Sequence, residues 1–263
     1  MNTVTSSDGT TIAYDRSGEG PPLVLIGGAL SDRAAAGSLA EALAPRLTAI
    51  AYDRRGRGDS GDTAPYAVER EIEDLEAIVA EAGGSAFVFG HSSGAALALE
   101  AAAHGLPITK LALYEPPFIV DDGHEPLADD YVERLAELAA SGRRGDAVEY
   151  FLTSGPGVPP EVVAGMRTEP FWPGMEKIAH TLAYDGAIMG DTMSGRPLAG
   201  DRWASVTVPT LVMDGDQSPA WARNSVAALA EVLPNAERRS LEGQDHGAAS
   251  EVLAPVLVDF FIG

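Results

Sequence analysis

The amino-acid sequence predicts an α/β fold, in which one doubly wound, mostly parallel sheet of eight strands carries an inserted helical cap. Short apolar runs alternate with helical patterns along most of the chain, which is typical of a parallel sheet with helices on both faces. The alternation stops after Pro117 and resumes near Arg202. Residues 90–94, with the sequence GHSSG, join an apolar run to an alanine-rich run and predict a sharp strand-to-helix turn.

Six short runs predict the strands of the parallel sheet. Five of them have the length and composition of strands buried on both faces. In chain order these are residues 23–26, 49–52, 86–89, 111–114 and 211–213. A further short strand is predicted at 239–241. Residues 4–14 predict an antiparallel hairpin, because the Asp8-Gly9 pair favours a tight turn. Apolar stripes at helical spacing predict helices at 68–79 and 252–261.

The segment that interrupts this alternation divides the chain into a predicted core and a predicted cap. Residues 1–116 and 203–263 form the α/β core, and residues 117–202 form the helical cap. Insertions of this length in a compact domain usually have a function. We expect the cap to lie over the carboxyl ends of the strands, where open α/β sheets bind ligands.

The composition limits the class of protein and its partners. With 263 residues, of which 45% are hydrophobic, the chain is long enough for one domain with a large core. A net charge of −21 disfavours nucleic acid and anionic membranes as partners. We expect a small-molecule substrate and a monomer or small homo-oligomer. The absence of cysteine, of a long apolar run and of a secretion signal favours a cytoplasmic location.

The GHSSG turn combines the features of a serine nucleophile. Gly90 and Gly94 permit a turn that is too sharp for side chains, and this exposes the Ser92 hydroxyl. The backbone N–H of Ser93 begins the following helix and is free to face an anion. Because serine is a weak nucleophile by itself, a base and an acid are expected elsewhere in the chain.

Four segments together resemble the α/β-hydrolase fold family over nearly the whole chain. They are residues 23–29, 53–60, 90–94 and 243–247. The resemblance implies that Ser92 is the nucleophile and His246 the base, in the chain order serine, acid, histidine. It also implies that the backbone N–H groups of Ala29 and Ser93 form the oxyanion hole.

The acid is where the sequence departs from the family pattern. The family usually takes it from the turn after the strand at 211–213, and the aligned position is Ser218. One alternative is that Asp216 or Asp214 turns inward from the same turn. We favour Glu115, which ends the strand beside the elbow, because the haloalkane dehalogenase branch of this fold places a glutamate at that strand end. The absence of a working acid is a third alternative.

The predicted pocket is apolar and contains Gly28 of the oxyanion turn. Its other members are aromatic and methionine side chains near the elbow or in the cap. They are Tyr114, Phe118, Phe171, Trp172, Met175, Met189 and Trp221. We expect His91 to point away from the substrate. We interpret the loop at 53–60 as structural, with Arg54 or Arg57 pairing with Asp53 or Asp59.

These features favour a cofactor-free serine hydrolase that cleaves an uncharged, largely apolar carboxylic ester, thioester or lactone through an acyl-enzyme. No cofactor or metal ion is expected, because no phosphate loop, dinucleotide motif or metal-ligand spacing is present. Haloperoxidase-like perhydrolases, C–C hydrolases and lactonising enzymes share the same machinery and are alternatives. A non-catalytic small-molecule binding protein is a further alternative, supported only by the irregular acid position.

Overall fold

The computed structural model describes residues 1–263 and contains one sheet of eight strands. In chain order the strands are β1 (Asn2–Thr5), β2 (Thr11–Ser17), β3 (Pro22–Ile26), β4 (Thr48–Tyr52), β5 (Ala86–His91), β6 (Ile108–Tyr114), β7 (Thr210–Gly215) and β8 (Ala236–Leu241). Their order across the sheet is β1-β2-β4-β3-β5-β6-β7-β8, and only β2 runs antiparallel to its neighbours. The predicted fold class is confirmed, including the N-terminal hairpin.

Ten α-helices flank this sheet or follow β6. They are α1 (Gly37–Leu43), α2 (Val68–Glu81), α3 (Ser93–Ala103), α4 (Tyr131–Ala140), α5 (Arg144–Ser154), α6 (Pro160–Met166), α7 (Trp172–Ile178), α8 (Leu182–Met189), α9 (Ala220–Val232) and α10 (Ser250–Ile262). The helices predicted at 68–79 and 252–261 correspond to α2 and α10. No helix has the length and apolar character that crossing a bilayer requires.

The central strands bury side chains on both faces of the sheet, as their continuous apolar runs predict. Along β3, Val24 and Ile26 belong to the core formed with α2, α3 and α9. Leu23 and Leu25 point to the other face and belong to the core formed with α1 and α10. The two helical layers therefore hold the parallel strands in register, so that their carboxyl ends form one edge.

The chain between β6 and β7 contains helices α4 to α8 and no strand. These helices have a small core of their own, in which Leu135, Val148 and Leu182 are fully buried. They lie over the carboxyl ends of the strands, because Met175 of α7 lines the same cavity as Ser92. The limits of the cap at 117 and 202 stay predictions.

The loop after β4 contains three arginines that are almost completely buried. Its ion pairs are Arg54 with Glu71 and Asp185, Arg55 with Asp74 and Asp8, and Arg57 with Asp185. The prediction that Arg54 or Arg57 pairs with Asp53 or Asp59 is wrong, because both of those carboxylates bind Arg33. Local proximity in the sequence suggested the nearest acids, whereas burial turns the arginines toward acids on α2 and α8.

The buried Arg55–Asp74 pair provides a test of how much this loop stabilises the fold. The two side chains are 0% and 1% exposed, so Arg55→Met leaves the Asp74 carboxylate buried without that partner. We expect the variant to lose about 3–5 kcal/mol of the free energy of unfolding in urea titrations. Arg134→Met, the control, removes an exposed pair with Glu137 and loses at most about 1 kcal/mol. Equal losses in the two variants would contradict this account.

Candidate active site

Three residues other than glycine have a left-handed backbone, and each follows or ends a central strand. They are Leu30, Ser92 and Glu115, with φ angles of 56°, 56° and 46°. Such angles are unfavourable for residues with a side chain, and they persist where surrounding contacts hold them, often at active sites. Because β3, β5 and β6 are neighbours in the sheet, the three turns lie together at one edge.

Ser92 occupies the elbow between β5 and α3, as the GHSSG motif predicts. A Cβ atom on Gly90 would lie 2.6 Å from the Cα of Ala95, and one on Gly94 would overlap the backbone at the end of β3. Neither position therefore tolerates a side chain. The N–H of Ser92 donates to the carbonyl of Tyr114 over 2.9 Å, which fixes the elbow against β6.

Glu115 is the carboxylate that contacts the candidate base. Its Oε2 lies 2.7 Å from Nδ1 of His246. Its Oε1 accepts hydrogen bonds from the N–H of Gly215 over 2.8 Å and from the hydroxyl of Ser218 over 2.5 Å. Ser218, the residue that aligns with the usual acid of the family, therefore donates a hydrogen bond to the predicted acid.

Burial by itself would raise the pKa of Glu115, whose side chain is 1% exposed. The hydrogen bonds from His246, Gly215 and Ser218 outweigh burial and lower the pKa of Glu115 below that of an ordinary glutamate. The group is ionised at neutral pH. A carboxylate at Nδ1 keeps the proton of the imidazole on that nitrogen and leaves Nε2 free to accept another.

The two alternative acids are engaged elsewhere. Asp214 is fully buried and accepts hydrogen bonds from Ser240 and from Arg238, the latter over 2.9 Å, both on the neighbouring strand β8. Asp216 accepts from the N–H of Gly243 over 2.8 Å. Neither carboxylate has a hydrogen bond or ion pair with the candidate base, so the carboxylate that contacts this histidine is that of Glu115, after β6.

The loop that carries His246 is held from two sides. The Tyr114 hydroxyl donates to the carbonyl of Asp245 over 2.6 Å, and Nε2 of His91 lies 2.8 Å from the carbonyl of His246. Because a carbonyl only accepts, the neutral His91 ring carries its proton on Nε2. The prediction that His91 points away from the site is wrong, since its ring lies 4.6 Å from that of His246 and lines the same cavity.

One cavity of about 820 Å³ lies between the strand ends and the inserted helices, and it includes Ser92, Glu115 and His246. The expected oxyanion residues Ala29 and Ser93 also line it. The other predicted pocket residues that line this cavity are Gly28, Tyr114, Met175, Met189 and Trp221. The structure therefore brings the candidate triad, the oxyanion turn and most of the predicted pocket to one place.

Three predicted pocket residues lie elsewhere, and their assignment was wrong. Phe118 is 1% exposed and stacks on Trp203 in the core beneath α3. Trp172 is buried within the core of the inserted helices, and Phe171 is 51% exposed. Large apolar side chains of an insertion fill its own core first, and the sequence does not show which of them remain for a ligand.

The arginines that line the cavity are already paired with carboxylates. Arg33 binds Asp15, Asp53 and Asp59, and Arg54 binds two acids within the protein. No lysine lines the cavity, and about half of the lining residues are hydrophobic. The lining therefore suits an uncharged ligand. No group of three or more acidic or histidine side chains is placed to hold a metal ion.

The buried carboxylate of Asp185 is a site residue that the sequence analysis missed. It belongs to α8, is 3% exposed, and accepts hydrogen bonds from Arg54, Arg57 and Ser93. Burial by itself would raise the pKa of Asp185, but the charges of Arg57 and Arg54 and the Ser93 hydroxyl lower it. A separation of 128 residues between Arg57 and Asp185 means that no local pattern connects them.

The sequence and the structure have clear relatives. Residues 23–255 match the alpha/beta hydrolase family. The chain belongs to this family. The crystal structure of an alpha/beta hydrolase from Sphaerobacter thermophilus is 62% identical, covers 99% of this chain and 100% of its own, and superposes with a TM-score of 0.92.

Two curated relatives of this alpha/beta hydrolase are enzymes of known reaction. The N-formylmaleamate deformylase of Pseudomonas putida is 35% identical over 154 residues, which are 56% of this chain and 57% of that protein. The 2-(acetamidomethylene)succinate hydrolase of Mesorhizobium japonicum is 25% identical over 242 residues, which are 90% of this chain and 85% of that protein. Family and relatives together identify an enzyme of the hydrolase class.

The neutral ring of His91 makes stability depend on pH in a defined direction. Burial first, and then the neighbouring His246 ring, lower the pKa of His91 from 6.5 to about 4. Between these values the unfolded chain binds a proton that the folded protein does not, so the free energy of unfolding falls as the pH is lowered. His91→Gln keeps an N–H donor, and we expect it to flatten this part of the profile in urea titrations between pH 7 and pH 4.

The matched control for this measurement is His104→Gln, which changes an exposed histidine at the end of α3. We expect its profile to keep the slope of the wild-type protein. A slope that is the same in wild-type protein and in His91→Gln would contradict the assignment of a neutral ring at position 91.

Proposed function

We propose that this alpha/beta hydrolase is a cofactor-free serine hydrolase that cleaves neutral, largely apolar esters, thioesters or lactones through an acyl-enzyme. The observation that carries the proposal is the Glu115–His246 pair, with 2.7 Å between carboxylate and Nδ1, in the cavity that contains Ser92. An imidazole oriented by a carboxylate, in the same cavity as a serine elbow, supports nucleophilic catalysis. The pair also argues against a non-catalytic binding protein, the alternative that rests on the irregular acid position.

Acylation is the first half of the proposed reaction. Ser92 Oγ attacks the carbonyl carbon, and Nε2 of His246 accepts the hydroxyl proton. The backbone N–H groups of Ala29 and Ser93 stabilise the negative charge that develops on the carbonyl oxygen. Glu115 stays ionised and stabilises the imidazolium at Nδ1. His246 then transfers its proton to the leaving group as the bond between the acyl carbon and that group breaks.

Deacylation uses the same groups in the second half of the reaction. His246 removes a proton from water, and the water oxygen attacks the acyl carbon. The oxyanion is again stabilised by the two backbone N–H groups. His246 returns the proton to Ser92 Oγ as the bond between the acyl carbon and Oγ breaks, and the carboxylic acid is released. Because every step uses side chains and backbone of this chain, the proposed reaction requires no cofactor.

The charges around the cavity support a neutral substrate. The lining arginines, Arg33 and Arg54, are both bound to carboxylates of the protein. A substrate carboxylate would have to displace one of these pairs or remain buried without a partner, and both are unfavourable. The net charge of −21 further opposes the approach of anions.

Cleavage of an acyl C–N bond is a second candidate, which the names of the two curated relatives favour. The same nucleophile, base and oxyanion donors serve amides as well as esters. The charge pattern argues against the same substrates, however, because maleamate and succinate are carboxylates and the arginines of this cavity are paired. We therefore propose a neutral acyl group for either reaction.

Ser92→Ala removes the oxygen that attacks the substrate. We expect hydrolysis of short p-nitrophenyl esters to fall at least about 10⁴-fold and labelling by a fluorophosphonate probe to disappear. Ser250→Ala is the matched control, because Ser250 also lines the cavity, and it should be labelled like the wild-type protein. Undiminished labelling of Ser92→Ala would exclude this nucleophile. Hydrolysis of anilides with the same acyl groups, compared with the esters, measures how much C–N cleavage the enzyme performs.

Glu115→Gln tests the acid. An amide beside Nδ1 cannot stabilise the imidazolium and favours the wrong tautomer, so we expect kcat to fall on the order of 10⁴-fold. Asp216→Asn is the control and should keep kcat near the wild-type value, because Asp216 contacts the Gly243 backbone and not the imidazole. The reverse ranking of the two variants would return the acid to the turn after β7.

A compensating change at position 218 extends this test. Ser218 Oγ lies 2.5 Å from Oε1 of Glu115, whose other oxygen contacts Nδ1 of His246, so an aspartate at 218 places a carboxylate next to the group that Glu115→Gln neutralises. We expect Ser218→Asp in the Glu115→Gln background to recover part of the lost kcat, and the control Ser218→Asn in that background to recover none. Equal kcat values for the two double variants would contradict the expected rescue.

A further inference from the structure

The peptide group between Gly28 and Ala29 is held through its carbonyl oxygen by two donors. Arg57 Nη1 donates to the Gly28 oxygen over 2.6 Å, and Ser31 Oγ donates to the same oxygen over 2.7 Å. This peptide is trans, so its carbonyl oxygen and the Ala29 N–H point in opposite directions. The two donors that hold the oxygen therefore also fix the direction of the N–H.

The oxyanion turn needs such support because its own residues restrict the rotation of the backbone very little. Gly27 and Gly28 have no side chains that restrict rotation of the backbone. A Cβ atom on Gly28 would lie 2.8 Å from the Cβ of Ser92, so the glycine is required for the close approach. If the peptide rotated, its carbonyl oxygen would replace the N–H and repel a developing oxyanion.

Asp185 connects the same support to the second expected donor, the N–H of Ser93. Oδ1 of Asp185 accepts from the Ser93 hydroxyl over 2.7 Å. Nη2 of Arg57 donates to both oxygens of this carboxylate, over 2.9 and 2.8 Å. The three side chains are between 1% and 3% exposed, so water does not compete for these bonds.

The positive and negative charges of this cluster balance. This balance favours a positioning role for Arg57 over direct electrostatic stabilisation of the oxyanion. Arg54 donates to Asp185 and to Glu71, each over 2.7 Å. Two guanidinium groups thus face two carboxylates. Arg57 is consequently not a free cation aimed at the substrate, and its influence on an oxyanion runs through the Gly28 carbonyl.

We infer that Arg57 and Asp185 are positioning residues that keep both oxyanion donors aimed at one point. Asp185 aligns Arg57 against the Gly28 carbonyl and holds Ser93 by its side chain. The inference rests on the proposed function, because the oxyanion forms only when Ser92 Oγ adds to a carbonyl carbon and an electron pair moves to the carbonyl oxygen. Since Asp185 belongs to α8, the inserted helices contribute to the oxyanion hole as well as to the cavity wall.

The experiment compares Arg57→Met with wild-type protein on a p-nitrophenyl ester and on two matched inhibitors. A trifluoromethyl ketone adds Ser92 Oγ and forms an oxyanion, whereas the corresponding methyl ketone binds without forming the adduct. We expect kcat to fall about 10–100-fold, less than or equal to the loss of a whole oxyanion donor. KM and the Ki of the methyl ketone should stay near wild type, while the Ki of the trifluoromethyl ketone rises by the factor lost in kcat/KM.

Arg55→Met is the matched control, because Arg55 is equally buried in the same loop but binds Asp74 and Asp8. We expect it to reduce stability while leaving kcat and both Ki values near wild type. Arg57→Lys keeps a cation and one donor for the Gly28 carbonyl. Its kcat should lie between those of Arg57→Met and the wild-type protein.

Two hydroxyl deletions keep the test decisive if Arg57→Met does not fold. Ser31→Ala removes the other donor to the Gly28 oxygen, and Ser93→Ala removes the bond to Asp185 while keeping the backbone N–H. Each should raise the Ki of the trifluoromethyl ketone and leave that of the methyl ketone unchanged. Where Arg57→Met folds, its combination with Ser31→Ala should lose more than the product of the two single effects, because either donor alone still holds the oxygen.

The possible outcomes distinguish this inference from the proposed function. Wild-type protein that neither hydrolyses esters nor binds the trifluoromethyl ketone at Ser92 overturns the proposed function, and the positioning role with it. Active wild-type protein, with unchanged kcat and unchanged ketone affinities in Arg57→Met, Ser31→Ala and Ser93→Ala, overturns the positioning role alone. A parallel loss of affinity for both ketones also overturns it, because that result means general damage to the cavity.

Discussion

Strands β3, β5 and β6 end side by side at one edge of the sheet. The positions of the candidate catalytic groups depend on the backbone conformation of the residues that follow these strands. Ser92 and Glu115 directly follow β5 and β6, and Leu30 lies in the turn after β3. All three have a left-handed backbone conformation, which costs about 1–3 kcal/mol for each residue. The conformation turns the chain away at once, so that the serine and glutamate side chains project from the strand ends. Close contacts of Gly90 and Gly94 with neighbouring backbone hold the elbow in this state.

A second constraint is that the turns around this edge are supported by buried charges that cancel one another. Arg54 and Arg57 face Glu71 and Asp185 inside the protein. Such a cluster adds little net stability, because desolvation offsets most of the attraction between the charges. The cluster instead fixes the orientation of the groups it binds, because a guanidinium with several fixed donors holds carbonyl and carboxylate oxygens at set angles. The cluster also pairs Arg54, which lines the cavity, with two carboxylates, so this guanidinium is not free to bind a ligand.

Most of the fold and the central residues of the candidate site can be predicted from the sequence, because both depend on local sequence patterns. Apolar runs such as 23–26 define strands buried on both faces, and parallel topology then places Ser92 and Glu115 on adjacent strand ends. The position of His246 follows from its place between the last strand and the last helix. Asp185 and the true partners of Arg57 could not be predicted, because their contact joins the loop after β4 to the inserted helix α8, 128 residues further along the chain.

The position of the acid follows from space and charge. In the proposed triad His246 needs one carboxylate oxygen beside Nδ1, which Glu115 Oε2 provides, and Ser218 Oγ lies 2.5 Å from the other oxygen of the same carboxylate. Two carboxylates so close together would repel, and the pKa of one would rise until it took up a proton. An ionised acid at one position therefore excludes an ionised acid at the other. A hydroxyl at Ser218 donates to Glu115 and helps to lower its pKa, so serine at 218 complements glutamate at 115 in the proposed triad.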